Sequence, residues 1–274
     1  MRGLPNMKNK KNPDNIIIFT RRKRMYTLVL FTVLLLFFLA SYLTEYDVAA
    51  GITSFPKAVL WVVTNLVPDE KSLTRLPRIL DRLFDTVLLS VAVTVVAAIF
   101  AFFFSLMGSK TTKINGILAR IVRIIAAFFR NVPDVVWAIL LLFSFGQNIL
   151  TGFFALFFTT FGMLTRTFIE TIDEVSADCV EALHASGATY MQTVFQGIVP
   201  SSLSEIITWV LFMIETNIRS STLIGILTAT GIGYMFDLYY KRLDYASASL
   251  VILSIVIVVI VLENISSKIR KAIL

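Results

Sequence analysis

Six long runs of apolar residues constrain the fold of this chain more than any other feature of its sequence. They lie at about 25–43, 84–107, 117–145, 149–169, 205–228 and 246–263. The hydrocarbon core of a bilayer is about 30 Å thick, so a helix needs about 20 mostly apolar residues to cross it. Lipid offers no partner to a bare backbone amide, and no run alternates with period two, so each run is predicted to be helical. The sequence therefore predicts an all-α integral membrane protein with about six transmembrane helices.

The composition agrees with a membrane protein and argues against other classes. Hydrophobic residues make up 57% of the chain and charged residues 16%, against about 45–50% and about 25% in soluble domains. This excludes a disordered protein, a coiled coil and a secreted disulfide scaffold. Cys179 is the single cysteine and His184 the single histidine, so no intrachain disulfide is possible and no metal site is expected.

The distribution of Lys and Arg predicts the orientation of the spans. Residues 1–24 form a basic arm with eight of them, and the sides expected to face the cytoplasm carry fifteen against seven on the outward side. The positive-inside rule then favours cytoplasmic N and C termini. The sequence divides into the arm (1–24), an uncleaved anchor helix with an external loop (25–83), and a transmembrane domain (84–274).

A long connection at 170–204, between the fourth and fifth runs, is predicted to be cytoplasmic. Its pattern predicts short helices at Thr171–Leu183 and Ala188–Gln196, separated by Gly187 and ended by Pro200. A helical loop of about 35 residues is long for a bundle connection. We interpret it as a docking surface for another protein, the alternative being an amphipathic hairpin that lies on the membrane surface.

The same loop resembles the EAA loop of ABC-transporter permeases. The matching residues are Glu181, Ala182, Leu183, Gly187 and Pro200 at the family's spacing, with Leu183 in place of the second alanine. The resemblance implies a type I importer permease with the MetI-like fold, in the plasma membrane of a bacterium. It also implies two ATPase subunits bound to the 170–204 loops, a second permease subunit (identical or paralogous) and an extracytoplasmic binding protein. ATP and Mg would bind to the ATPase subunits, and this chain would hold no cofactor.

Two further stretches resemble permeases of the phosphonate-type PhnE family. One carries Glu215, Asn217, Arg219, Ser220, Thr222 and Gly225, and the other carries Arg130, Pro133, Asp134, Trp137 and Ala138, with Asp134 where the family usually has Glu. Thr228 and Thr230 stand where the family tends to have Gly. The resemblance implies import of phosphonate or a related phosphorus oxyanion, phosphate or phosphite. The alternative is import of another small solute, such as methionine or another amino acid.

Charged residues inside the apolar runs are the candidates for a substrate path. Arg130 and Asp134 are four residues apart, as are Glu215 and Arg219, so each pair is expected to share one helix face. An ionised group there costs about 2.5–3.5 kcal/mol on insertion scales, which favours a position facing the bundle interior or a wet cavity. The planar guanidinium fork suits an oxyanion, and Pro133 is expected to kink the third run.

Each of these residues also has a purely structural interpretation. Within each pair the two charges would merely neutralise each other. Asn131 and Asn217 would either add hydrogen bonds to the solute or join helices to one another.

The sequence contains no phosphate-binding loop of its own. Gly108-Ser109-Lys110-Thr111 lacks the glycine spacing of that motif, so the chain is predicted to be a transport subunit and not an enzyme. A membrane enzyme would need a nucleophile, metal ligands or paired carboxylates, and the sequence shows none of these. An uncoupled channel or secondary carrier is the alternative from a different functional class. Carriers often have internal repeats, and none is visible in this sequence.

Overall fold

The structure is a computed structural model, which describes residues 13–113, 115–175 and 177–273. The chain divides into two units, one ending at Thr64 and the other starting at Asn65. The basic residues at positions 2, 8, 10 and 11 of the predicted arm lie outside the described residues.

The first unit contains helix α1 (Pro13–Leu43) and, except for its last residue, helix α2 (Val48–Asn65). The apolar part of α1 is Arg22–Leu43, three residues longer at its start than the predicted anchor. Asp47 begins α2, because its Oδ1 accepts a hydrogen bond from the amide of Ala50 at 2.9 Å. No side chain of α2 is buried, and Pro56 lies inside the helix. Much of the predicted external loop is therefore helical.

The second unit begins with α3 (Glu70–Leu73) and α4 (Leu76–Gly108). A capping box between Asp69 and Ser72 closes the start of α3. Pro77 lies in the first turn of α4, where its missing amide costs no helical hydrogen bond. As a result, α4 starts eight residues before the predicted span.

Three more long helices follow α4 in this unit: α7 (Ile149–Val175), α10 (Val199–Thr228) and α12 (Tyr245–Ile273). Within the described residues, five helices are long and apolar enough to span a membrane, and a bent pair brings the number to six. The prediction of an all-α membrane protein with about six spans is confirmed. Small residues on α4 let α7 approach closely, since Ala97 and Ala101 are fully buried against Leu164, Phe168 and Met213.

The third predicted span is broken into α5 (Gly116–Asn131) and α6 (Asp134–Phe145), which meet at an angle of 88°. Val132 is extended, and Pro133 precedes the first residue of α6, as expected for a residue before proline. The predicted kink is confirmed, and it is large enough to place Arg130 and Asp134 on different helices. The prediction that these two residues share one helix face is therefore wrong.

The 170–204 connection contains the end of α7, then α8 (Ala177–Ala185), α9 (Tyr190–Gln192) and a π-helical segment (Thr193–Ile198). The connection is helical as predicted, but its bounds differ. The predicted helix Thr171–Leu183 falls on the end of α7 and on α8, and the predicted helix Ala188–Gln196 falls on α9 and the π-helical segment. Pro200 does not end a helix. It lies in the first turn of α10, where a proline fits, and the chain passes from the π-helical segment into α10 without a break. After α10, the short helix α11 (Gly231–Lys241) leads to α12.

Candidate functional site

The Glu181 segment lies on the exposed side of α8. Glu181 and Ala182 are exposed, whereas Val180 is buried with Leu106 and Ile172. The buried side of α8 thus fixes it to the bundle, and the acidic residue remains free to meet another protein. This arrangement agrees with a docking surface.

Gly187 makes the sharp turn after α8. Its φ is +80°, and the amide of Ala188 donates to the carbonyl of Leu183 at 3.0 Å, the long hydrogen bond of a Schellman motif. A Cβ added to Gly187 would meet nothing within 4 Å. Backbone conformation alone therefore favours glycine here, as the sequence predicted.

Gly197 brings the π-helical segment against α8. A Cβ at this position would lie 2.6 Å from Leu183 Cδ1 and 3.3 Å from Cys179 Sγ. Leu183, which stands in place of the family's second alanine, thus fills the space that Gly197 leaves open. The two halves of the connection pack as one unit.

Arg130 lies in the last turn of α5, beside the break. Its Nε atom is buried and has no hydrogen-bond partner among the described residues. Asp134 does not compensate for this, because its Oδ1 accepts from the amide of Val135 at 2.9 Å. A cation in the last turn is favourable for the helix dipole, but the buried nitrogen keeps an unused donor. Asn131, the last residue of α5, is exposed.

Packed aromatic rings fix the junction between α5 and α6. The Trp137 ring lies 4.9 Å from that of Phe158 and 5.6 Å from that of Phe129, while Phe129 stacks on Phe158 at 5.0 Å. Gly162 lets α7 touch the backbone of α5, since a Cβ there would lie 2.6 Å from Arg130 N. The position of Arg130 is therefore fixed by packing. Trp137 Nε1 is also buried without a partner in the described structure.

Glu215 and Arg219 form the ion pair that their spacing predicted. Arg219 Nη2 donates to Glu215 Oε1 at 2.7 Å, with side-chain exposures of 53% and 12%. Because Arg219 is the more exposed partner, it still has donors available to a solute. Arg219 lies on α10 and Arg130 on α5, so the two candidate arginines belong to different helices.

Asn217 is buried between three helices. Its Nδ2 donates to Thr94 Oγ1 at 2.8 Å and to Thr160 Oγ1 at 2.9 Å. These contacts join α10 to α4 and α7, which is the packing interpretation of this residue. The proposed place of Asn217 on a substrate path stays a prediction.

Sequence reasoning missed a polar stripe along α4. Thr86, Ser90 and Thr94 recur every four residues, and they meet the amide of Ile232, the Ser221 hydroxyl and Asn217, respectively. The period of four was visible in the sequence and indicates one helix face. Small polar residues on one face of a membrane helix favour close helix packing.

Sequence reasoning also missed the role of Asp173 near the end of α7. Its carboxylate accepts hydrogen bonds from Ser109 Oγ at 2.5 Å, Lys110 N at 2.7 Å and Arg123 Nη2 at 3.1 Å. These contacts fasten the α4–α5 turn to the start of the 170–204 connection. No local sequence pattern predicts this role of Asp173, because its partners are 50 or more residues away in the chain.

Residues 101–271 match the family model described as the binding-protein-dependent transport system inner membrane component. The chain belongs to this family. The matched region runs from α4 to α12 and includes the broken span, the Glu181 segment and the Glu215–Arg219 pair. With several apolar helices, this inner membrane component is a multi-pass membrane protein. The predicted ABC permease is confirmed.

Two curated relatives are similar over most of the same region. The chain is 28% identical over 189 residues to the phosphite transport system permease protein PtxC of Stutzerimonas stutzeri. The matched region covers 69% of each chain. The chain is 26% identical over 190 residues to the phosphate-import permease protein PhnE of Mycolicibacterium smegmatis. That match covers 69% of this chain and 36% of the relative. The resemblance to PhnE-type permeases is confirmed.

A solved structure shows the same fold. The chain matches a solved structure described as inward-facing conformations of the MetNI methionine ABC transporter, with a TM-score of 0.58 and 22% sequence identity. The match covers 70% of this chain and 96% of the other. The predicted MetI-like fold is confirmed. At this level of identity the similarity concerns the fold alone.

Proposed function

We propose that this chain is the permease subunit of an ATP-driven importer for a phosphorus oxyanion: phosphonate, phosphite or phosphate. The family membership supports transport, and the names of the two relatives support the class of solute. Methionine is less well supported, because the likeness to its transporter concerns fold only.

The observation that carries the proposal is the Nε of Arg130, which is buried beside an 88° helix break and has no hydrogen-bond partner in the part of the chain that the structure describes. Broken helices near the membrane midplane are common where transporters handle solute. A guanidinium matches the oxygens of an oxyanion with two parallel donors. Arg219 is the second proposed contact, and Glu215 weakens its hold so that the anion is released. Asn131 is exposed next to Arg130 and adds a neutral donor.

The proposed partners follow from the family's dependence on a binding protein. Two ATPase subunits contact Glu181, Ala182, Leu183 and Gly187, and Pro200 lies in the first turn of the helix that carries their movement into the membrane. ATP and Mg bind to those subunits, and this chain holds neither. A second permease subunit completes the path, and both termini of the chain lie in the cytoplasm.

Uptake in proteoliposomes tests the class of solute. The complex of this chain with its ATPase and binding protein is expected to take up radiolabelled phosphate or phosphite, and excess methionine is expected not to compete. Uptake that continues without ATP would indicate a channel or carrier. Uptake of methionine alone would replace the oxyanion with an amino acid.

A pair of arginine variants tests whether Arg130 lies on the substrate path. Arg130→Gln is expected to lower uptake at least about tenfold, since charged hydrogen bonds contribute about 1.5–3 kcal/mol. Arg120→Gln is the matched control, because Arg120 is exposed on the same helix. Arg130→Lys should restore part of the activity, as it keeps the charge without the planar fork. Equal uptake by Arg130→Gln and Arg120→Gln would remove Arg130 from the path.

A further inference from the structure

Three arginines line one cavity at the end of the bundle where α4 begins and α11 ends. The cavity has a volume of about 510 Å³ and is lined by Thr74, Arg75, Pro77, Arg78, Leu238, Tyr239 and Arg242. Ligand pockets in proteins typically measure about 300–1,000 Å³. The space is therefore sufficient for a small anion or the headgroup of a lipid.

The side chain of Arg75 lines this cavity and is held in place by its contacts. Its Nη1 donates to Asp244 and, at 2.8 Å, to Ser247 Oγ, and its guanidinium carbon lies 5.1 Å from the centre of the Tyr239 ring. The carboxylate and the aromatic face together hold the guanidinium in place. Asp244 neutralises the charge of Arg75 but leaves those of the other two arginines.

Arg78 and Arg242 are the uncompensated charges. Both are exposed, and neither has an acidic partner among the described residues. Arg78 also lies in the first turn of α4, which contains no acidic residue. A cation there opposes the positive end of the helix dipole, so the helix itself gives no reason for Arg78. An anion held between Arg78 and Arg242 would neutralise both charges.

We propose that this cavity binds a phosphate-type oxyanion, with Arg78 and Arg242 as its two ligands and Arg75 as a positioning residue. The oxyanion is either a free phosphorus oxyanion or the phosphodiester of an anionic lipid, because both present the same oxygens to the arginines. Binding at this cavity does not require transport, so this proposal is tested independently of the proposed function.

The test compares two charge-matched double variants of the full chain, purified in a neutral maltoside detergent at fixed ionic strength. Arg78→Gln/Arg242→Gln removes both ligands. Lys71→Gln/Lys241→Gln removes the same charge from the same end of the bundle, at positions that do not line the cavity. One arm titrates inorganic phosphate by calorimetry, and the other titrates phosphatidylglycerol by native mass spectrometry.

We expect one ligand per chain in at least one arm. The arginine variant should weaken the binding at least about tenfold, and the lysine variant by less than twofold. Saturation by phosphate identifies a solute site, and saturation by phosphatidylglycerol alone identifies a lipid site. If both variants weaken binding equally, or if neither ligand binds at one per chain, the proposal is overturned. Arg242→Gln alone, at the exposed end of α11, replaces the double variant if that one does not fold, and the same comparison is then made with Lys241→Gln alone.

Discussion

The carboxamide of Asn217 donates a hydrogen bond to the hydroxyl of Thr94, 2.8 Å away, across the interface of α10 and α4. Asn217 is 3% exposed, so this contact lies in the interior of the bundle. It links the stretch that resembles phosphonate permeases to the polar stripe on α4. The residue thus contributes to helix packing whether or not solute passes nearby.

Replacing Asn217 with Leu should destabilise the protein. Three interhelical hydrogen bonds, to Thr94 and Thr160, are lost. Each is worth about 0.6 kcal/mol in a membrane protein, so the free energy of unfolding should fall by about 1–2 kcal/mol. Thermal melting of the purified chain in detergent measures the change. Asn264→Leu is the control, because Asn264 is exposed and bonds only within α12. Equal melting temperatures for the two variants would contradict the packing role.

The crossing of α10 and α11 should not tolerate a side chain at Gly233. A Cβ there would lie 2.0 Å from the carbonyl oxygen of Thr222. Since backbone must move to relieve the clash, Gly233→Ala should destabilise the protein by about 3 kcal/mol. Gly116→Ala is the matched control, because nothing lies within 4 Å of its added Cβ. A melting temperature of Gly233→Ala close to that of Gly116→Ala would show that the helices separate easily.

Substitutions at Gly187 should affect the turn after α8 in an order set by backbone preference. Its φ of +80° and its open surroundings mean that only conformational cost is involved. Ala should cost about 1–2 kcal/mol, Asn less, and Val more. Solute-stimulated ATP hydrolysis by the assembled complex should fall in the same order if the turn positions the docking surface. Hydrolysis that is equal in all three variants would separate this turn from coupling.

Asp173→Asn should loosen the turn between α4 and α5. The amides of Lys110 and Thr111 donate to Asp173 Oδ1 at 2.7 and 3.4 Å, and Asn is a weaker acceptor than a carboxylate. Hydrogen–deuterium exchange at these two amides should accelerate about tenfold. Glu174→Gln, at the exposed neighbouring position, should leave exchange unchanged. Exchange that does not distinguish the two variants would contradict the anchoring role of Asp173.

Asp244 should make stability depend on acidic pH. Partial burial raises the pKa of Asp244, but hydrogen bonds from Ser247 and Arg75 and the Arg75 charge outweigh it and hold the pKa below its ordinary value of 3.8. Stability from the ionised carboxylate is therefore present above pH 3.8 and is lost as pH falls through the lower folded value.

Melting of Asp244→Asn at pH 6 and at pH 3.5 measures this contribution. The variant should melt lower than the wild type at pH 6, and this deficit should shrink at pH 3.5. Asp81→Asn is the control, because Asp81 is exposed, and its pH profile should follow the wild type. A deficit that is the same at both pH values would show that the carboxylate charge is not involved.

Local features of the sequence were enough to predict part of the candidate site. Glycine at 187 and proline at 133 act on their own backbone, so the turn and the break were predictable. Glu215 and Arg219 lie on one continuous helix, and their pairing follows from the spacing alone. Arg130 and Asp134 have the same spacing, but the chain turns between them, so the same rule failed.

The sequence by itself determined that the chain crosses a membrane as helices. In lipid only helices and closed β-barrels satisfy the backbone hydrogen bonds, and the apolar runs lack the period-two alternation of barrel strands. The sequence also indicated the break before α6 and the turn after α8, since Pro133 and Gly187 act through their own dihedral angles, but Pro56 and Pro200 lie within helices. Only the tertiary structure decided that Asn217 is buried and that Asp173 holds a turn. It also decided that Arg75 meets Asp244, which is 169 residues away. These contacts join distant parts of the chain, and their partners are set by how helices pack rather than by any pattern within one helix.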